Sequence, residues 1–232
     1  MRRMVTLIIL TVQIFARTPD AVGRNGMVVS SHELASQVGI DILKQGGNAI
    51  DAAIATGFAL AVVHPGAGNI GGGGFMVIRL SDGSVTTIDF REVAPSDAFR
   101  DMFLDDSMNV IAGKSWNTSW AAGVPGSVAG FGMVHEKFGS TKWKKLVSPA
   151  AGLAKNGFPI DFQNLSYLNH PYYQEYLSHD VEAGKIFSRQ EPIELNELFY
   201  QTDLGKTLER ISIFGWQEFY TGKTADMIEK CM

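Results

Sequence analysis

Cysteines, basic tracts and long apolar runs are what this chain lacks, and each shortage removes a class of protein. A single cysteine, Cys231, excludes an internal disulfide and any cysteine-based metal cluster. No basic run occurs and the formal net charge is −4, so there is no electrostatic reason to expect a nucleic-acid partner. The five histidines, His32, His64, His135, His170 and His179, show no ligand spacing such as H-E-x-x-H, and no metal site is expected. What remains is a globular composition, 45% hydrophobic and 19% charged over 232 residues. A chain of that length forms one large domain or two small ones and buries roughly 70–75% of its unfolded surface.

The N-terminus carries a targeting pattern. Arg2-Arg3 precedes Met4 to Ala16, 13 mostly apolar residues, the length of a secretory apolar region and short of the ~20 residues that span a bilayer. The cleavage signal is poor because Ile14 and Phe15 precede Ala16, so an uncleaved membrane anchor stands beside secretion, and a buried N-terminal strand is the third reading. Residues 1–25 are read as leader and connector, and 26–232 as the folded region. In a chain secreted by a eukaryote, Asn117-Thr118-Ser119 and Asn164-Leu165-Ser166 are glycosylation acceptor triplets.

Glycine is abundant and clusters between residues 39 and 74. Met27-Val28-Val29 predicts a short buried strand. Ser30 with Glu33 forms a capping box before a helix that Gly46-Gly47 ends. The next helix starts at Asn48 or Ala49, holds Asp51 in its first turn where a carboxylate complements the helix dipole, and runs to Val63. It is apolar on all sides, which predicts burial, and Pro65 ends it. Phe75 to Leu80 and Val85 to Phe90 form a hairpin through the Asp82-Gly83 turn, the second strand apolar enough to be buried. A loop follows to Phe103. Ser127 is placed to cap a helix, Pro149 to sit in the first turn of another, and the polar, aromatic stretch 164–200 is a surface excursion with helical character. Leu204 to Phe214 and Ala225 to Cys231 are amphipathic helices. Few strands alternate with helices, which predicts an α+β or α/β architecture.

Two glycine motifs mislead by their letters. Gly66-Ala67-Gly68-Asn69-Ile70-Gly71 matches G-x-G-x-x-G, yet a dinucleotide fingerprint follows a strand and opens a helix, and here the order is reversed. Gly71 to Gly74 has no Lys-Ser or Lys-Thr behind it and is no P-loop. Ser127 lies in PGSVAG, which misses G-x-S-x-G, so it is read as a cap and not as a nucleophile. Arg91 is the candidate binding residue. It sits at the end of a core strand beside Asp89 and Glu92, and two readings stand level. One is an internal ion pair that fixes the following loop; the other is a guanidinium fork that matches a substrate carboxylate bidentately.

The run GMVVSSHELASQVGIDILKQGGNAIDAAIATGFALAVVHPGAGNIGGGGFMVIRL, followed by TTIDFREVAP, closely resembles the start of the γ-glutamyltransferase (γ-glutamyl transpeptidase, glutathione hydrolase) family. The likeness continues through Met102 to Asp105, Gly123 to Gly126, Ala154 to Phe158 and Phe219 to Gly222, so it covers Gly26 to the end. It implies an N-terminal nucleophile hydrolase fold, an αββα sandwich, here incomplete. It also implies a precursor that cuts itself before a threonine, whose own amine serves as base. The expected chemistry is γ-glutamyl transfer from glutathione or other γ-glutamyl compounds to water, amino acids or dipeptides, with no cofactor. Arg91 matches the arginine that holds the α-carboxylate of the γ-glutamyl group, which tips the even choice toward function.

One departure accompanies the likeness. Thr86-Thr87 is followed by Ile88, where the family has histidine after its threonine pair, and it lies within the hairpin. The expectation is therefore a large-subunit part without catalytic residues of its own, partnered by a small catalytic subunit from the same precursor. The alternative is an inactive partial paralogue that acts only as a binding or assembly partner.

Overall fold

The computed structural model describes residues 21–189 and 191–232. Helices α1 (Glu33–Lys44) and α2 (Ala49–Val63) are parted by Gly46 at φ 90°, a left-handed backbone that glycine adopts without strain. The hairpin β1 (Phe75–Arg79) and β2 (Val85–Asp89) follows, with Phe75 opposite Asp89 and Arg79 opposite Val85. After a long loop come α3 (Ser127–Phe138) and α4 (Trp143–Asn156). Strand β3 (Phe158–Pro159) leads to three short helices, α5 (Phe162–Leu168), α6 (Pro171–Ser178) and α7 (Val181–Phe187). Strand β4 (Leu198–Phe199) pairs with β3, and α8 (Thr202–Phe214), α9 (Glu218–Thr221) and α10 (Lys223–Cys231) close the described chain.

Helix α2 is the centre. Ten of its 15 residues are buried, because α1, α3 and α4 pack around it and α8 packs on α4. Phe58 sets its edge against Phe131 and Trp143, with ring centres 5.1 and 5.6 Å away. The last turn of this helix is buried, so its free carbonyls need protein partners, and the half-exposed first turn is closed by side chains as well. Asn48 Oδ1 accepts from the Ile50 and Asp51 amides, and Asp51 accepts from the Asn48 amide. The fully buried Asp51 also takes the Ser140 amide at 3.1 Å and the Ser140 hydroxyl at 2.6 Å. Burial by itself raises the Asp51 pKa, but the hydrogen bonds from Ser140, Asn48 and Thr141 outweigh it and hold the carboxyl below its usual range. At the other end, Gln201 Nε2 donates to the Val62 carbonyl at 2.7 Å and Asn164 Nδ2 to the Val63 carbonyl at 2.8 Å.

The structure corrects several sequence expectations. Met27-Val28-Val29 is extended but has no strand partner among the described residues; Met27 and Val29 are exposed, and only Val28 packs on the core. Helix α1 is capped by His32, whose Nδ1 accepts from the Leu34 amide at 3.2 Å, while the Ser30 hydroxyl turns to the His32 carbonyl. Ser127 is helical instead of capping, and Pro149 lies inside α4. The hairpin is not buried on both faces: Phe75, Val77 and Val85 are exposed, since no further strand covers them among the described residues. Asn164 is 2% exposed and hydrogen-bonded, which removes it as a glycan acceptor. Helix α5, within the expected surface excursion, sends Leu168 into the core. No helix among the described residues is long and apolar enough to cross a membrane, and the apolar leader lies outside them.

These ties are testable by substitution and by acid. Asp51→Ala strands the Asn48 and Ser140 donors and costs about 2–4 kcal/mol in chemical denaturation, with Asp51→Asn intermediate. The acid response turns on His32, whose Nε2 is buried and lies 3.3 Å from Asp161 Oδ2 without a hydrogen bond. Burial lowers its pKa from 6.5 more than Asp161 raises it. The unfolded chain therefore binds the proton first as pH falls, so stability is complete above about pH 6.5 and declines through the folded-state pKa. His32→Asn keeps the cap acceptor and should flatten the fall in melting temperature between about pH 7 and 5.

Candidate functional site

The site is built on the hairpin. Gly83 at φ 87° closes its turn, and Asp82 Oδ1 accepts from the Ser84 amide at 2.8 Å and hydroxyl at 2.7 Å. Pairing continues beyond β2, since the Phe90 amide donates to the Gly74 carbonyl at 3.0 Å and the Gly74 amide to the Phe90 carbonyl at 3.3 Å. Val93 and Val124 exchange amide hydrogen bonds of 3.2 and 2.8 Å further along. The segment Phe90-Arg91-Glu92 thus runs between two fixed backbone pairs.

Close packing of bare backbone holds this segment from both sides. A methyl group on Gly73 would lie 2.6 Å from the Phe90 carbonyl oxygen and 2.7 Å from the Arg91 Cα. One on Gly126 would overlap the Phe90 carbonyl. Those two positions need glycine for space. The adjacent Gly72 acts through its backbone oxygen, which accepts the Gly126 and Ser127 amides at 2.8 and 2.9 Å, at the start of α3. These donors are spent on a protein oxygen and are not free to cradle a phosphate. Tyr220 locks the same corner, donating to the Pro125 carbonyl at 2.8 Å and accepting from the Ala129 amide at 3.0 Å. Its burial pushes the phenol pKa up.

Arg91 emerges from this clamp with its side chain 65% exposed. Asp89 spends one carboxylate oxygen on the Arg91 backbone amide at 3.0 Å. Glu92 Oε2 stands 3.8 Å from Nε, a loose exposed contact of little energetic weight. The guanidinium carbon lies 5.9 Å from the centre of the Phe75 ring. Among the described residues no group takes a hydrogen bond from the two terminal nitrogens. A rigid backbone therefore presents an open planar fork, chemistry suited to a carboxylate. The larger clefts lie elsewhere; one of about 890 Å³ is lined by Trp116, Tyr172, Tyr176 and Asp180. Among the described residues, no group of three or more His, Cys, Asp or Glu is placed to hold a metal ion.

Sequence reasoning singled out Arg91 as a candidate, and within the glycine run the expected close packing against backbone falls at Gly73. It missed Phe75 as a neighbour of Arg91 and Gly126 as the other jaw. The first was accessible through the hairpin register, which sets Phe75 against Asp89. The second had no local signal.

The chain as a whole resembles known proteins. The family profile described as Gamma-glutamyltranspeptidase matches residues 35–232. The chain is 47% identical over 210 residues to a glutathione hydrolase proenzyme of Escherichia coli, covering 90% of this chain and 36% of that protein. A Bacillus subtilis glutathione hydrolase proenzyme is 42% identical over 208 residues, 88% of this chain and 35% of its own. The crystal structure of Helicobacter pylori gamma-glutamyltranspeptidase superimposes with a TM-score of 0.85 at 45% identity, covering 91% of this chain and 61% of that one. The chain thus spans about a third of the length of the curated relatives it matches.

Gly126→Ala should lose about 1–3 kcal/mol in denaturant titration through overpacking against backbone that cannot yield. Gly71→Ala, whose added methyl meets nothing within 4 Å, is the control and should change stability little.

Proposed function

The chain belongs to the gamma-glutamyltranspeptidase family, and from that premise we propose that it is the donor-holding part of a γ-glutamyl acyl-transfer enzyme that hydrolyses glutathione. Its fold is the α+β fold of the N-terminal nucleophile hydrolases, represented by the large-subunit part. In this proposal residues 26–232 form that part, residues 1–25 direct the chain to secretion or to the cell surface, and a small catalytic subunit comes from the same precursor.

The observation that carries the proposal is the open fork of Arg91, held on a clamped strand end with its terminal nitrogens unspent. Arg91 takes the α-carboxylate of the γ-glutamyl group through two parallel N–H···O bonds. That contact orients the group so that its γ-carbonyl faces the nucleophile, which the partner subunit supplies. The threonine hydroxyl attacks the carbonyl carbon, its proton passes to the threonine's own amine, and the amide nitrogen leaves with that proton. Water, or the amine of an amino acid or dipeptide, then displaces the ester. In this proposal Arg91 contributes position, which lowers the entropy cost of the attack.

The test is Arg91→Lys in the enzyme assembled with its threonine-bearing subunit. Lysine keeps the charge and loses the fork, so the KM for glutathione should rise on the order of tenfold or more. Steady-state kinetics with unchanged KM and kcat would remove Arg91 from the site.

A further inference from the structure

We propose that Phe75 is the positioning residue for Arg91: its ring face carries the guanidinium and sets the direction in which the fork is presented. This rests on the carboxylate-clamp reading of Arg91 and deepens it. Phe75 opens β1 and pairs with Asp89, the residue whose carboxylate holds the Arg91 amide. Ring and guanidinium therefore hang from one short ladder, which the reciprocal Gly74–Phe90 hydrogen bonds continue at its end. The guanidinium carbon lies 5.9 Å from the ring centre, within the ~6 Å reach of a cation–π contact.

Three side chains near Arg91 divide its donors and its charge between them. Asp89 takes the backbone amide, Glu92 faces Nε at 3.8 Å, and Phe75 lies against the guanidinium carbon. The choice of a ring is chemically meaningful. A carboxylate in its place would orient the cation but occupy its donors and neutralise its charge, in competition with the substrate carboxylate. A ring quadrupole attracts the cation and consumes no N–H group. An aliphatic side chain would pack equally well and exert no such attraction. Phe75 is 64% exposed, so the face of the ring is available to the arginine and not absorbed in the core.

The experiment separates ring electronics from packing. In the assembled enzyme, pentafluorophenylalanine in place of Phe75 keeps the shape and reverses the ring quadrupole. Phe75→Leu removes the ring, and Phe75→Tyr keeps an electron-rich face. The first two should raise the KM for glutathione about two- to fivefold with kcat within about twofold, and Phe75→Tyr should match the parent. If Phe75→Leu raises KM and the fluorinated ring does not, Phe75 only packs and the inference fails. If Arg91→Lys raises KM while all three Phe75 replacements leave it unchanged, the clamp stands and the role of Phe75 falls. If Arg91→Lys leaves KM unchanged, the clamp fails, and this inference with it.

Discussion

A helix that is apolar on every side buries most of its length, and this protein is arranged around giving the backbone groups at its ends their partners. The last turn of helix α2 is buried, so the Val62 and Val63 carbonyls draw the side chains of Gln201 and Asn164 from distant parts of the chain. Its first turn draws Ser140 through Asp51. Each tie anchors a separate part of the chain to α2: α5 through Asn164, the start of α8 through Gln201, and the α3–α4 connection through Ser140. A buried polar group left without its partner costs more than the same hydrogen bond contributes, so these few contacts weigh more than their number suggests.

The clamp around Arg91 grows from that frame. Helix α3 packs on α2, and its first residues reach the Gly72 carbonyl and the back of Phe90. The hairpin meets the same segment from the other side at Gly73 and Gly74. Glycine at the contact points lets backbone touch backbone, so the strand end carrying Arg91 is held by the least adjustable part of the structure. Only the guanidinium is left free, loosely touched by Glu92 and resting near the Phe75 ring. A binding group gains from such support because ordering it ahead of the ligand reduces the entropy lost on binding.

Much of this was legible locally. The Asp82-Gly83 turn, Asp51 in the first turn of α2 and the glycine stop at Gly46 are short-range chemistry and appear where their residues stand. The departures share one cause, competition from distant groups. Ser30 and His32 both offer acceptors at the start of α1, and the cap falls to His32, whose ring lies beside Phe158 and Asp161. Ser127 looks like a cap until the Gly72 carbonyl takes the helix donors. Asn164 reads as a surface acceptor triplet until the end of α2 requires its amide. Met27-Val28-Val29 has strand chemistry, but a strand also needs a neighbour.

By itself the sequence determined the local elements, the buried character of α2, the rejection of phosphate-binding motifs and the candidacy of Arg91, because spacing, turn chemistry and charge act over a few residues. Tertiary structure alone decided which amide closes α2, which glycines meet the Phe90 backbone and which aromatic face lies by the guanidinium. Those contacts join residues far apart in the chain, and their energies depend on distance and burial, quantities that exist only once the helices have packed.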